Sequence, residues 1–278
     1  MKIPSRLEHL IHANIIDEVV GQLKSGKEAE VYVVRSEGEY RCAKVYKEVN
    51  NRSFKQSSQY TEGRKVRNSR MSRAMESNSR YGRKERESEW QNAEVEALVL
   101  LAAAGVRVPK TYGFYEGVLL LQMISDADGN PAPKLNDVKL PSDLAKEYHL
   151  LLIREVVLML CAGLIHGDLS EFNVLLAADG PVIIDLPQVV QATANNAYRM
   201  LERDVTQLSA YFGRFAPEIL ATNYAKEMWK IFESGKLKPN TKLTGRFQHS
   251  TKKADVKSVL GEIDEARDEE MARRGFKK

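Results

Sequence analysis

The stretch Ile165-His166-Gly167-Asp168-Leu169-Ser170-Glu171-Phe172-Asn173 constrains this chain more than any other. It carries an acid and, five residues on, an amide; twelve residues after Asn173 a second acid, Asp185, ends the run Ile183-Ile184-Asp185. Residues 173–177 and 181–185 read as strands flanking Asp179-Gly180, a hairpin signal. An acid, an amide oxygen and a second acid at the end of a hairpin form a metal–nucleotide constellation. Mg²⁺ prefers hard oxygen ligands and takes only one or two from carboxylates, with phosphates and water completing its shell. Asn173 and Asp185 can supply those ligands, leaving Asp168 free to accept or orient a hydroxyl proton. Taken alone, His-Gly-Asp is a weak signal and acids at strand ends are commonly solvated. The three positions together carry the reading.

A chain of 278 residues, 43% apolar, has material for one large domain or for two lobes sharing a cleft. With 42 basic and 38 acidic residues the net charge is +4, which is no polybasic peptide. The two cysteines, Cys42 and Cys161, sit in apolar runs. They make no disulfide framework and no zinc pattern, and they fit a reduced, cytoplasmic setting. Met1 to Arg6 leads into no long apolar run, so no secretory signal is expected. The longest apolar stretch, Leu150 to Leu164, is broken by Arg154 and Glu155 and is too short and charged to span a bilayer.

Charge is uneven. From Asn50 to Glu89 there are 11 Lys/Arg against 5 Asp/Glu, with eight serines and no hydrophobic period. The expectation for 50–88 is a mobile basic loop, or a helix that orders with a partner. Lys226 to Lys257 is a second basic zone, nine against three, and Asp255 to Lys278 is a charged helical or frayed end. Such clusters attract phosphate backbones, so contact with RNA or a ribosome is one expectation; a solvated surface is the plainer one. Between these zones, residues 11–23 have helical spacing through Ile11, Ile15, Ile16, Val19 and Leu23. Strands are expected at 29–35 and 40–46 around Ser36-Glu37-Gly38-Glu39, and at 111–115 and 118–124 around Glu116-Gly117. Ser88 with Gln91 reads as a capping box that opens a helix closed by Gly105. Further helices follow Pro141-Ser142, ending near Gly163, and cover about 198–213. A strand-rich first half and a helix-rich second half predict an α+β protein of two lobes.

Lys44, in Arg41-Cys42-Ala43-Lys44-Val45-Tyr46, is flanked by apolar residues, and burying it needs an anionic partner. Nucleotide phosphates and a helix glutamate meet that need; Glu94 is the best candidate, with Glu96 and Glu89 as rivals. The bland alternative is a snorkelling lysine on an edge strand. In Ser25-Gly26-Lys27-Glu28-Ala29-Glu30-Val31-Tyr32, a glycine just before a strand lets backbone N–H groups approach phosphate oxygens. Gly21 and Gly26-Lys27 nearly make a Walker A motif. Glu28 stands where that motif needs a hydroxyl, and the preceding segment reads as helix, so the motif is rejected. His149 on an apolar helix, and Tyr211, Phe212 and Phe215, read as core residues. His9, His12 and His249 have no partner pattern.

The Asp168–Asn173 offset matches the protein-kinase catalytic loop. Together with Ser25-Gly26-Lys27-Glu28-Ala29, Ala43-Lys44-Val45-Tyr46-Lys47, Pro131-Ala132-Pro133 and Ile184-Asp185-x-Pro187-Gln188, the set resembles the Rio family of atypical serine/threonine protein kinases, closest to its type-one subfamily, over about residues 19–215. The resemblance implies a trimmed bilobal kinase-like fold, with an N-lobe antiparallel sheet plus helix and a mainly helical C-lobe. Its implied limits are an extension at 1–18, an N-lobe at 19–121, a C-lobe at 122–225 and a charged tail at 226–278. It implies ATP and Mg²⁺ as cofactors, with Mn²⁺ as a substitute, and serine phosphorylation or an ATPase switch as the activity.

By the same resemblance, Ser25 and Lys27 cover the phosphates and Lys44 holds them while pairing with Glu94. Gln122 to Ile124 form the hinge that meets adenine, Asp168 is the catalytic aspartate, and Asn173 and Asp185 are metal ligands. The Asp185 equivalent can also accept the phosphoryl group. The 50–88 segment matches one often autophosphorylated, with Ser53, Ser57, Ser58, Ser69 and Ser72 as candidates. Gly167 stands where ordinary kinases have arginine, and no Ala-Pro-Glu follows Asp185, so a peptide-docking lobe is not expected. Glu202-Arg203-Asp204 is expected to be a structural ion-pair anchor. With about 24 residues before the Ser25 turn, no winged helix is expected. Implied partners are ATP, a protein substrate and, as in relatives acting in small-subunit maturation, a ribosome; no membrane is implied.

Overall fold

Two alternating strands joined by a two-residue left-handed turn make the first hairpin: β2 (Ala29–Ser36) and β3 (Glu39–Tyr46), with Glu37 at φ 54° and Gly38 at φ 80°. Both turn residues adopt positive φ, the geometry that matches the twist of paired strands. The same device, Glu116 at φ 46° and Gly117 at φ 82°, joins β4 (Thr111–Tyr115) to β5 (Val118–Gln122). With β1 (Glu18–Ser25) these strands form one antiparallel sheet in the order β1-β2-β3-β5-β4. The computed structural model describes residues 3–47 and 80–247. The serine-rich loop expected at 50–88 falls largely outside them, as does the end from 248.

The sheet buries both faces. On one, Tyr32, Val34, Ala43, Val45, Val118 and Leu120 pack on Leu7 and Leu10 of α1 (Ser5–His12) and on Ile16. On the other, Tyr46 and Leu119 join Ala97, Leu98 and Leu101 of α2 (Arg80–Ala103) in the main core. That core continues into α3 (Ser142–Cys161) and α4 (Ala197–Phe212), the main helices of the second lobe. The hairpin of β7 (Val174–Ala177) and β8 (Gly180–Ile183) lies between them in sequence, and β6 (Leu164–Ile165) pairs with β9 (Val190–Gln191). A last helix, α5 (Tyr224–Glu233), buries Tyr224, Ala225 and Met228, so the first part of the second basic zone is folded onto the lobe. The architecture is α+β and bilobal, as expected.

Two local expectations fail. Residues 11–23 are not one helix. Asn14 turns left-handed at φ 54°, the helix before it ends at His12, and residues from Glu18 enter the sheet as β1. Of the apolar residues at helical spacing, Ile11 stays in α1 while Val19 and Leu23 enter β1, where pairing with β2 fixes an extended backbone. Nor does Ser88 cap α2, since that helix already starts at Arg80. The intervening Arg, Lys and Glu residues are strong helix formers and carry the helix upstream of the capping pattern. Its end is as expected: Gly105, at φ 82°, donates to Ala102 O, and Val106 N donates to Leu101 O.

Candidate functional site

β3 is the middle strand of the five, paired through Lys44 with Val31 on one side and Leu119 on the other. This excludes an edge-strand lysine. Alternation along β3 sends Ala43 and Val45 to the α1 face and Lys44 and Tyr46 to the other. Glu94 lies four and seven residues before Leu98 and Leu101 on α2, so the helix that buries those leucines also brings Glu94 to the strand. Lys44 Nζ donates to Glu94 Oε1 at 2.6 Å and to Asp185 Oδ1 at 2.8 Å. Tyr46 Oη donates to Glu94 Oε2 at 2.5 Å. Glu94 keeps 2% of its side-chain surface and Lys44 13%, whereas Asp185 keeps 39% and opens to solvent. The rival Glu96 is exposed.

Burial disfavours the charged form of Lys44, but the two carboxylates beside it outweigh this, and its pKa lies well above the usual lysine range. Asp185 shows the complementary balance: burial pushes its carboxyl up, and Lys44 more than reverses this, so it stays ionised below the usual range. Asp185 sits at φ 66°, just past β8. The residue before it is fixed at both its backbone groups, since Ile184 N donates to Asn173 O at 2.9 Å and Ile184 O meets His166 Nε2 at 3.2 Å.

The loop bearing Asp168 is held by α4. Asp204 accepts from Gly167 N at 2.8 Å and from Leu169 N at 3.1 Å, while Arg203 donates to Gly167 O. The expected ion-pair anchor is instead a set of side-chain hydrogen bonds from Arg203 and Asp204 to the loop backbone, while Glu202 accepts from the Tyr198 hydroxyl. Gly167 is at φ 80°, and a Cβ there would lie 2.6 Å from Gln188 O, which explains why no arginine stands at this position. Burial, with the nearby Asp185 charge, raises the Asp168 pKa; Arg203 and Asn173 oppose it. Asn173 Nδ2 donates to Asp168 O at 2.9 Å, leaving its Oδ1 to face another partner. Asp168 and Asn173 border a cleft of about 510 Å³ with Ser170, Phe172, Gln207 and Arg214, so Asp168 is within reach of an incoming molecule.

The other expected positions are dispersed. Ser25 and Lys27 lie on the exposed turn between β1 and β2. Ser25 Oγ donates to Glu30 Oε1 at 3.3 Å, and Lys27 does not join the Lys44 cluster. The ground for rejecting a Walker A motif shifts, because β1 does precede this turn, yet the turn leads to β2 and not to a helix. Gln122 ends β5 with its side chain accepting from Lys110 N at 3.3 Å. Ile124 is buried with Ala132 and Val182 in a small apolar cluster, and its carbonyl accepts from Ala132 N at 2.9 Å. His149, Tyr211 and Phe212 are core residues, as expected, and Phe215 packs against that core. Sequence reasoning missed Lys24 and Lys134, two cations whose charges oppose one another. The misread helix over 11–23 hid the first, and nothing in the spacing marked the second.

A divalent ion fits this donor set. Asp185 and Asn173 offer hard oxygens, and among the described residues no group of three His, Cys, Asp or Glu side chains could hold a metal alone. The remaining ligands would have to come from phosphate and water.

Comparison with known proteins shows the family of the chain. The serine/threonine-protein kinase rio1 of Schizosaccharomyces pombe is 30% identical over 74% of this chain and 40% of its own length. The serine/threonine-protein kinase RIO1 of Homo sapiens is 30% identical over 76% of this chain and 36% of its own. The RIO-type serine/threonine-protein kinase Rio1 of Methanocaldococcus jannaschii is 32% identical over 83% of this chain and 73% of its own. The chain thus spans about two fifths of the length of the yeast and human relatives. A family model described as the RIO domain matches residues 30–225. That match starts within β2 and runs beyond α4, taking in Lys44, Glu94, Asp168, Asn173, Asp185 and the anchor at Asp204, and the chain belongs to the RIO domain family.

Proposed function

We propose that the protein is an ATP- and Mg²⁺-dependent Rio-type serine/threonine kinase or ATPase, with autophosphorylation among its outcomes. The observation that carries this reading is the bridge from Glu94 through Lys44 to Asp185, 2.6 and 2.8 Å long, which joins the two lobes at one point. Lys44 in that position neutralises phosphate charge, and Glu94 keeps it aimed. Asn173 and Asp185 would hold Mg²⁺, or Mn²⁺ in its place; the ion supplies charge neutralisation on the phosphates. Asp168 takes or orients the proton of the attacking hydroxyl or water, and its raised pKa suits that exchange. Ile124, Ala132 and Val182 offer an apolar wall for adenine next to the hinge. Ser25 and Lys27 would cover the phosphates after a change in the exposed turn between β1 and β2.

The names of the relatives support kinase chemistry. A cytoplasmic setting is supported by free Cys42 and Cys161. Among the described residues no helix is long and apolar enough to cross a membrane. The test is incubation with γ-labelled ATP and Mg²⁺, tracing label to serine, to aspartate or to free phosphate. Wild-type protein should release or transfer label, and Asp168→Ala should abolish both. Asp185→Asn should remove any hydroxylamine-sensitive label; a label that persists there eliminates Asp185 as an acceptor. Absence of any metal-dependent turnover in the wild type would refute the reading.

A further inference from the structure

The cleft beside Asp168 is lined by none of Lys44, Glu94 and Asp185. At about 510 Å³ it has the size of a small-ligand pocket, about 300–1,000 Å³. Two elements wall it. Glu171–Asn173 is a single 3-10 turn that follows the Asp168 loop. Gln207 and Tyr211, four residues apart, share a face of α4, and Arg214 follows just past the end of that helix. The 3-10 turn buries Glu171 and leaves Phe172 50% exposed at the rim. The Tyr211 hydroxyl is committed to Leu135 O at 2.5 Å, so this residue offers the cleft its ring. Arg214 lies 5.5 Å from the centre of that ring and pairs with Glu171 Oε1 at 3.5 Å. Gln207 Oε1 is buried and has no hydrogen-bond partner among the described residues.

The Glu171–Arg214 pair offsets its own charge, which leaves the Asp168 carboxylate to meet an entering group. Phe172 and Tyr211 add an aromatic wall. A buried amide oxygen without a donor is costly, and a turn about the last side-chain bond of Gln207 lets that oxygen take a backbone N–H from an entering chain. A serine within a polypeptide supplies a complement to each: a hydroxyl, a backbone N–H and a neighbouring side chain. We infer that this cleft is the acceptor subsite, that it takes a polypeptide serine with a large apolar neighbour, and that Phe172 selects that neighbour. The inference rests on the kinase reading above and names the acceptor that reading leaves open. The serine oxygen bonds to the γ-phosphorus as the bond from that phosphorus to the β–γ bridging oxygen breaks. ADP leaves with that electron pair, and the hydroxyl proton passes to Asp168. A nucleic-acid acceptor fits worse, because its phosphates would face Asp168 and Glu171, and Arg214, the one cation lining the cleft, is already paired.

The test uses γ-labelled ATP, Mg²⁺ and short peptides that differ only beside a central serine, which is flanked by leucine, alanine, glutamate or lysine. For the wild type, kcat/KM should be about tenfold higher with leucine than with alanine, and lowest with the charged residues. Phe172→Ala should bring the leucine-to-alanine ratio close to one, and Phe172→Leu should keep most of it. The ratio is taken within one protein, so a general loss of activity does not move it. Phe172 lies at the rim, so its replacement leaves the core intact. Gln207→Leu should raise KM for the leucine and alanine peptides alike, about fivefold, and leave their ratio as it was. A wild type indifferent to the neighbour, a preference for a charged one, or a preference that survives Phe172→Ala makes the subsite wrong while the kinase reading stands. Label that reaches water or the protein itself but no peptide has the same meaning. If Gln207→Leu leaves every KM unchanged, the backbone contact is wrong. A wild type without turnover of any kind overturns both the subsite and the kinase reading.

Discussion

At the scale of single residues, the chemistry turns on how Glu94 tolerates burial. A carboxylate with 2% of its surface exposed is stable there because Lys44 and the Tyr46 hydroxyl both serve it. Removing Lys44 therefore has two effects that can be separated. Lys44→Ala should lower turnover about a hundredfold or more, since the phosphates lose their fixed cation. It should also cost about 3 kcal/mol of stability, because Glu94 is left buried with only Tyr46. Adding Glu94→Gln should restore most of the stability, read as the urea midpoint, and none of the turnover. If Lys44→Ala alone is as stable as wild type, the bridge to Glu94 contributes little and the lysine acts only on the ligand.

At the scale of elements, the parts differ in how local their causes are. The hairpins were legible because Glu37-Gly38 and Glu116-Gly117 supply the positive φ that tight turns need, and the strands beside them alternate. Helix α3 announced itself through Pro141-Ser142 and a long apolar run. The 11–23 segment was misread because its apolar residues keep helical spacing across a break: Ile11 belongs to α1, Asn14 turns left-handed, and Val19 and Leu23 enter β1, whose pairing with β2 is a tertiary fact. The core of the site was legible for a similar reason in reverse, since Asp168, Asn173 and Asp185 lie within one short hairpin region. What tethers them was less so: the two hydrogen bonds from Gly167 and Leu169 to Asp204 cross from a loop to α4. This tether carries a prediction of its own. Asp204→Ala leaves two buried N–H groups without an acceptor and should cost about 2–4 kcal/mol. Because Lys44 and Glu94 are held by β3 and α2, away from this loop, nucleotide affinity should fall far less than kcat, which should drop about tenfold or more as Asp168 loses its position. A loss confined to nucleotide affinity would show that Asp204 does not position Asp168.

At the scale of the whole molecule, the main core passes from Tyr46, Leu101 and Leu119 in the first lobe to Leu152 and Phe212 in the second. The lobes are therefore joined by packed apolar surface as well as by the hinge, and they share the consequences of a charge placed in that core. His149 is such a place. It is 1% exposed, faces the rings of Phe212 and Tyr224 at 5.6 and 5.7 Å, and among the described residues has the Ser209 hydroxyl, at 3.1 Å, as its one polar partner. Burial lowers its pKa to about 4. A histidine whose folded pKa lies below its unfolded one is held neutral by the fold. Its full contribution is present above the unfolded value and is lost as pH falls from there toward 4, because the unfolded chain takes up the proton first. Other buried groups titrate in the same range, His166 in the same sense and Asp204, raised to about 7 by burial, in the opposite one. The wild-type curve therefore sums several protons, and the informative quantity is the difference from a variant that lacks one. His149→Gln should be less stable than wild type at pH 7, having lost the ring packing. That gap should narrow by about 2 kcal/mol between pH 7 and pH 5, as only the wild type suffers from a proton at position 149. Denaturant midpoints of both proteins across this range measure it directly. A gap constant with pH would mean that His149 titrates in the folded protein as it does in the unfolded chain, and that the core around it admits water.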